Sequence, residues 1–191
     1  MFGHTAEILV EKLINNGTVQ KENKQIYQYG VNQIFNNLLS FISFSLIAVL
    51  LKAIPESLVF LAAYIPLRVY AGGYHAKTPL RCWILSNLLL SVVILIVCYA
   101  SISQIWYDIF SSISVFLILF FIPVESYTKP LDEEERNIFR KHGRVILFFE
   151  VIIFFFLHLF AWNKFAEILA MVWISLSILL LIGKRKLKQR S

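Results

Sequence analysis

The distribution of apolar residues changes character along this chain. Near the start, Ala6, Leu9, Val10 and Leu13 recur at helical spacing, with Glu7, Glu11 and Lys12 on the other side. That pattern predicts an amphipathic helix lying in a membrane interface, ended by Gly17. A polar-aromatic stretch, Gln25 to Gln33, leads on from it. Six apolar segments follow, at 34–51, 57–70, 83–99, 105–124, 145–162 and 165–182. A membrane-crossing helix needs about 20 such residues. The second segment, SLVFLAAYIPLRVY, is the shortest, and Pro66 interrupts it, so a tilted, broken or re-entrant helix is expected there. The fold class read from this pattern is an all-α, polytopic integral membrane protein. It comprises an interfacial segment at 1–33, a membrane domain at 34–182 and a basic tail at 183–191.

Composition agrees. The chain of 191 residues is 58% hydrophobic and 16% charged, whereas soluble domains are about half apolar and about a quarter charged. Seventeen phenylalanines exceed what a core of this size can hide from water. No continuous apolar run in the first thirty residues resembles a cleaved signal peptide. Cys82 and Cys98 are too few for a disulfide framework. The net charge of +6 would raise the question of nucleic acid in a soluble protein. Here it has a different use, because Lys and Arg gather on the cytoplasmic side of membrane proteins. With six spans, only Lys52 and Lys164 of the 18 basic residues fall opposite the N-terminal side. Both termini and the loops 71–82 and 125–144 are therefore expected in the cytoplasm, with no nucleic-acid partner.

The first of those loops carries candidate chemistry. Residues 68–83 read RVYAGGYHAKTPLRCW. Gly72 and Gly73 allow a tight turn or a close backbone approach. Thr78 followed by Pro79 reads as a helix N-cap and first helical position, which puts Cys82 in the first turn of the next helix. A thiol is a good nucleophile only as thiolate. The helix N-terminus, the neighbouring Arg81 and a charged His75 would all favour that form. His75 and Cys82 are seven residues apart, about 10 Å along a straight helix, so a turn at Thr78–Pro79 is needed to bring them together. No carboxylate in the loop completes a triad. The plainer reading makes Cys82 a small apolar residue at a helix start and His75 a loop residue facing headgroups.

The stretch resembles the signature of the accessory gene regulator protein B (AgrB) family, membrane endopeptidases of bacterial quorum sensing. The matching residues are Arg68, Gly73, His75 and Cys82. The chain length, the amphipathic start, the hydrophobic segments, the basic tail and the later loop IPVESYTKPLDEEER also fit. The resemblance implies a cysteine endopeptidase with a His75–Cys82 dyad, and no metal or other cofactor is expected. Its substrate would be an AgrD-type precursor peptide. Cys82 would attack the scissile carbonyl, and an internal Cys or Ser of the precursor would then take the acyl group to close a thiolactone or lactone. A multi-pass cell-membrane location, contact with membrane lipids and a homodimer are expected with it. The rival class is a non-enzymatic peptide exporter or membrane scaffold.

Other polar residues have less specific readings. Arg68 either reaches the headgroups or holds the loop or a substrate carboxylate with its forked donors. Lys129, Arg136, Arg140, Lys141 and Arg144 form a basic loop interrupted by the acidic run Asp132–Glu135. Topology and attraction to anionic lipid explain it, with docking of an acidic substrate tail as the alternative. Glu150 and His158 lie within the fifth segment, where ionisable groups are functional candidates. Neither they nor His4, His142 and Cys98 offer metal-ligand spacing. Ser43, Ser45, Ser111, Ser112, Ser175 and Ser177 are expected at interhelical contacts.

Overall fold

A computed structural model describes residues 3–74, 78–125 and 131–188. Among these, seven α-helices account for nearly everything: α1 (Gly3–Asn15), α2 (Lys24–Leu50), α3 (Ile54–Ala71), α4 (Pro79–Tyr99), α5 (Gln104–Phe121), α6 (Glu133–Leu159) and α7 (Asn163–Lys188). Helices α2 to α7 are each long and apolar enough to cross a membrane. The all-α polytopic architecture read from the sequence is the observed one.

The helix ends follow local rules. At the end of α1, Gly17 has φ +71°, its N–H donates to the Ile14 carbonyl and the Thr18 N–H donates to the Leu13 carbonyl. That pair of bonds is a Schellman stop, which glycine favours because it adopts positive φ without strain. Asp132 caps α6, its carboxylate accepting the Glu135 N–H at 2.7 Å. The acidic run expected to interrupt a loop thus starts a helix, placing negative charge in its first turn. Consequently α6 begins twelve residues before the apolar segment at 145, and Arg136, Arg140, Lys141 and Arg144 ride on it. Likewise α2 begins at Lys24 instead of 34, and α7 carries Lys184, Arg185 and Lys186 past the apolar run. Leaving the apolar layer does not end a helix whose polar residues are good helix formers. The second segment is not broken: α3 is helical throughout its 18 residues, with Pro66 inside.

The chain divides into two compact units. In the first, residues 1–47 and 76–87, Lys24 pins the start of α2 to α1. Its ammonium lies 2.9 Å from Glu11 and 3.6 Å from Glu7. The hydrogen bond from Lys24 holds the Glu11 carboxyl below its ordinary range. Within the same unit, the Trp83 indole N–H donates to Ser43 at 3.1 Å, joining α4 to α2.

The second unit, residues 48–75 and 88–191, is organised around α7. This helix packs on α5, α3 and α6, and Ile168, Leu169, Val172, Trp173, Leu176 and Leu180 are buried. Polar links cross the packed faces. Ser177 donates to Ser114 at 3.1 Å, Trp173 donates to the Glu150 carboxylate at 2.7 Å and Lys164 pairs with Glu56 at 2.6 Å. Glu150 is thus a buried acceptor joining α6 to α7. His158 lies 3.2 Å from Asp108, joining α6 to α5. The serines divide between two roles. Ser43 and Ser177 bridge helices, whereas Ser111, Ser112 and Ser175 bond to carbonyls of their own helix.

Candidate active site

The segment between α3 and α4 is built from two stretches of different kinds. Helix α3 ends at Ala71, and Gly72 turns the chain with φ +70° and ψ −137° while its N–H still bonds the Arg68 carbonyl. Gly73 follows at φ +103°. Both positions lie where a side chain would be strained.

Contacts from three directions then fix residues 72–74. The guanidinium of Arg68 donates to the carbonyl oxygens of Gly72 and Tyr74. Val124, just beyond α5, pairs with the turn as a short parallel bridge. The Gly73 N–H donates to the Val124 carbonyl at 2.9 Å, and the Val124 N–H donates to the Ala71 carbonyl at 2.9 Å. From α7, the Leu179 carbonyl accepts the Tyr74 N–H at 3.0 Å. This last bond uses a backbone oxygen in the second half of α7, one turn before Gly183, and the close approach it needs explains that glycine. A Cβ on Gly183 would lie 2.7 Å from the Tyr74 nitrogen and 2.8 Å from the Gly73 carbonyl carbon. A Cβ on Gly73 would meet an Arg68 nitrogen at 2.6 Å and the Leu179 oxygen at 3.2 Å. Lys186 sits over the Tyr74 ring, 4.4 Å from its centroid. The last turn of α3 is itself braced on α6, where Tyr70 stacks on His142 at 5.3 Å and meets Phe139 edge-on at 5.6 Å.

Arg68 therefore does not reach for headgroups, and its forked donors are occupied by the protein's own backbone instead of waiting for a substrate carboxylate. Of the three readings given to it, contact with the loop is the one its hydrogen bonds match. His75 and the two residues after it lie outside the described residues.

The second stretch is local. Thr78 caps α4, its hydroxyl accepting the Arg81 N–H at 3.3 Å, and Pro79 is the first helical residue. The Cys82 N–H makes the first α-helical bond, to the Thr78 carbonyl at 3.1 Å. Cys82 is a free thiol in the first turn, half-buried, as the Thr-Pro pair predicts. Arg81 is exposed. Successive residues on a helix point about 100° apart, so Arg81 does not face the Cys82 sulfur by virtue of adjacency. Cys98, also free and half-buried, is in the last turn of α4, at the other end from Cys82.

Sequence reasoning singled out Arg68, Gly72, Gly73, Arg81 and Cys82, and the structure gathers Arg68, Gly72 and Gly73 into one clamp. It missed Val124, Leu179 and Gly183. Val124 and Leu179 act through backbone atoms, which no side-chain pattern reports. Gly183 did carry a signal, as a lone glycine where an apolar run meets the basic end of the chain.

The comparisons with known proteins bear on this arrangement. The Accessory gene regulator B family profile matches residues 6–182. This chain belongs to that family. It is 25% identical over 175 residues to a putative AgrB-like protein of Clostridium perfringens (strain SM101 / Type A), spanning 85% of this chain and 82% of that one. It is 27% identical over 139 residues to the accessory gene regulator protein B of Staphylococcus carnosus (strain TM300), spanning 73% and 71%. No solved structure matches. The AgrB family belongs to quorum-sensing accessory gene regulation, and six apolar helices make this chain a multi-pass membrane protein.

Proposed function

We propose that this protein is a membrane cysteine endopeptidase that cleaves an AgrD-type precursor peptide, with Cys82 as nucleophile and His75 as base. The observation that carries the reading is the position of Cys82, a free, half-buried thiol in the first turn of a capped helix. A helix N-terminus favours the thiolate over the thiol. Family membership supplies the substrate class. The clamp on residues 72–74 supports it further, because a base must arrive at a fixed position to act, and His75 follows Tyr74 directly in the chain.

The chemistry runs in two steps. The Cys82 thiolate attacks the scissile carbonyl, His75 delivers a proton to the departing amine, and an acyl-enzyme thioester forms. An internal Cys or Ser of the precursor then attacks the thioester, releasing Cys82 and closing a thiolactone or lactone ring. Exchange of one thioester for another is nearly balanced in free energy, and a membrane-shielded site protects the intermediate from water. The reading includes a homodimer in the cell membrane, with both termini and the 71–82 loop cytoplasmic. The basic residues at the loop end support that orientation.

The test is co-expression with a precursor whose internal Cys or Ser is changed to Ala. An adduct of enzyme and the N-terminal fragment should accumulate and be released by neutral hydroxylamine. Cys82→Ala and His75→Ala should each abolish cleavage with insertion unchanged, and the double variant should be no worse than either single. Cys98→Ala should remain active. Cleavage by the Cys82→Ala protein would overturn the mechanism and favour a scaffold or exporter whose precursor is cut by another enzyme.

A further inference from the structure

At the same end of the second unit, α5, residues 122–125 after it, α6 and α7 line an open cleft of about 400 Å³. Four cations line it: Arg136, Arg140 and Arg144 from successive turns of α6, and Lys184 from α7. Its one carboxylate, Glu125, is already paired with Arg136. Arg140 and Arg144 have no acidic partner among the described residues. Lys184 lies over the Phe121 ring, 4.1 Å from the centroid, so its charge is directed to this side of the bundle. The pocket thus has an excess of positive charge, with its one carboxylate already paired.

Its depth decides what kind of anion fits. The apolar run of α5 ends at Phe121, that of α6 begins at Val145 and that of α7 ends at Ile182. Arg140, Arg144 and Lys184 stand within a turn or so of that boundary, where lipid phosphates lie. Phe120, in the pocket wall, is 84% exposed, presenting an apolar face beside the charges. A ligand that is anionic at one end and apolar at the other matches both. We propose that this pocket binds the headgroup of one anionic phospholipid, with Arg140, Arg144 and Lys184 on the phosphate and the acyl chains along Phe120.

The pocket also touches the loop. Its wall includes Val124, whose backbone holds Ala71 and Gly73. A bound headgroup would steady residues 122–125 and, through Val124, the turn at residues 72–74. The lipid is then a regulator of loop order, independent of whether the loop cleaves a peptide.

The test uses the full-length protein in nanodiscs of phosphatidylcholine, with or without a fraction of phosphatidylglycerol, read by native mass spectrometry and by amide exchange. The triple variant Arg140→Gln, Arg144→Gln, Lys184→Gln is compared with Lys12→Gln, Lys21→Gln, Lys52→Gln, which removes the same charge elsewhere. About 1 kcal/mol per basic residue predicts a loss of about fivefold in phosphatidylglycerol retention per cation, about a hundredfold for all three. The control should retain the lipid as wild type does. In wild type, phosphatidylglycerol should slow exchange at Gly73 and Tyr74, and in the pocket variant it should not. Equal retention by the two variants would overturn the site. So would displacement of the lipid by millimolar glycerol phosphate, which would mark a free-phosphate site, or by an acidic peptide at equal concentration, which would mark a peptide site. Unchanged exchange at Gly73 despite lipid binding would overturn the coupling.

Discussion

The two stretches that flank the sequence between α3 and α4 are held in opposite ways. Residues 72–74 depend on partners far along the chain: Val124 beyond α5, and Leu179 and Gly183 in α7. Residues 78–82 depend on themselves, through the Thr78 cap and the first helical bond of Cys82. The first is a tertiary clamp in which several backbones meet without room for a methyl group. The second is a helix start that would form in many surroundings. The difference teaches where the segment is brittle. Damage to the clamp displaces atoms that have no alternative partners, whereas damage to the cap lets one turn fray.

The largest effect is therefore expected at the crossing of the two glycines. Gly73→Ala adds strain at φ +103° and puts a carbon 2.6 Å from an Arg68 nitrogen, and Gly183→Ala puts one 2.7 Å from the Tyr74 nitrogen. Strain of about 1–3 kcal/mol at one residue corresponds to roughly five- to 150-fold in cleavage if the loop must hold that shape to act. Gly17→Ala is the control. It has a similar positive φ of +71°, but nothing stands within 4 Å of the added carbon. It should cost stability and leave cleavage near wild type. Equal losses for Gly17→Ala and Gly73→Ala would show that backbone strain alone, and not the clamp, explains the effect.

Next in size is Arg68. Its fork reaches two carbonyls two residues apart in sequence, which a single ammonium cannot reproduce. Arg68→Lys should thus lower cleavage nearly as much as Arg68→Ala, by about tenfold, since a hydrogen bond to a charged group is worth about 1.5–3 kcal/mol. Full activity in Arg68→Lys would mean that charge, not geometry, is what the position requires, and the clamp would lose its central strut.

These contrasts also mark what could be read from the chain alone. The capped start of α4 was legible because Thr78, Pro79 and Cys82 are neighbours and the cap acts over one turn. The six spans were legible because each needs only its own apolar length. The clamp was half legible: two adjacent glycines announced an unusual backbone, but not what approached them. Val124 and Leu179 contribute main-chain atoms, so any residue there would read the same. The starts of α2 and α6 were misplaced for a related reason. Apolar length locates where a helix enters the lipid, while Asp132 and the polar turns after it decide where the helix begins.

The smallest effect, and the sharpest test of the local half, belongs to Thr78. Replacing an N-cap Thr by Ala costs about 1 kcal/mol of helix stability, and since α4 is anchored by the Trp83–Ser43 bond, only its first turn should loosen. Thr78→Ala should lower cleavage several-fold at most, well short of the Gly73 variant. Thr78→Asn restores a side-chain acceptor without charge and should recover most of the loss. Thr78→Asp restores the acceptor too, but it sets a carboxylate one turn ahead of Cys82. If Cys82 works as a thiolate, that charge opposes its ionisation, so Thr78→Asp should restore the fold of the turn while slowing alkylation of Cys82 by iodoacetamide at neutral pH. The two measurements separate the cap from the thiol. Equal alkylation rates in the Asn and Asp variants would remove the thiolate from the argument, and a loss in Thr78→Ala as deep as in Gly73→Ala would erase the distinction between the two stretches.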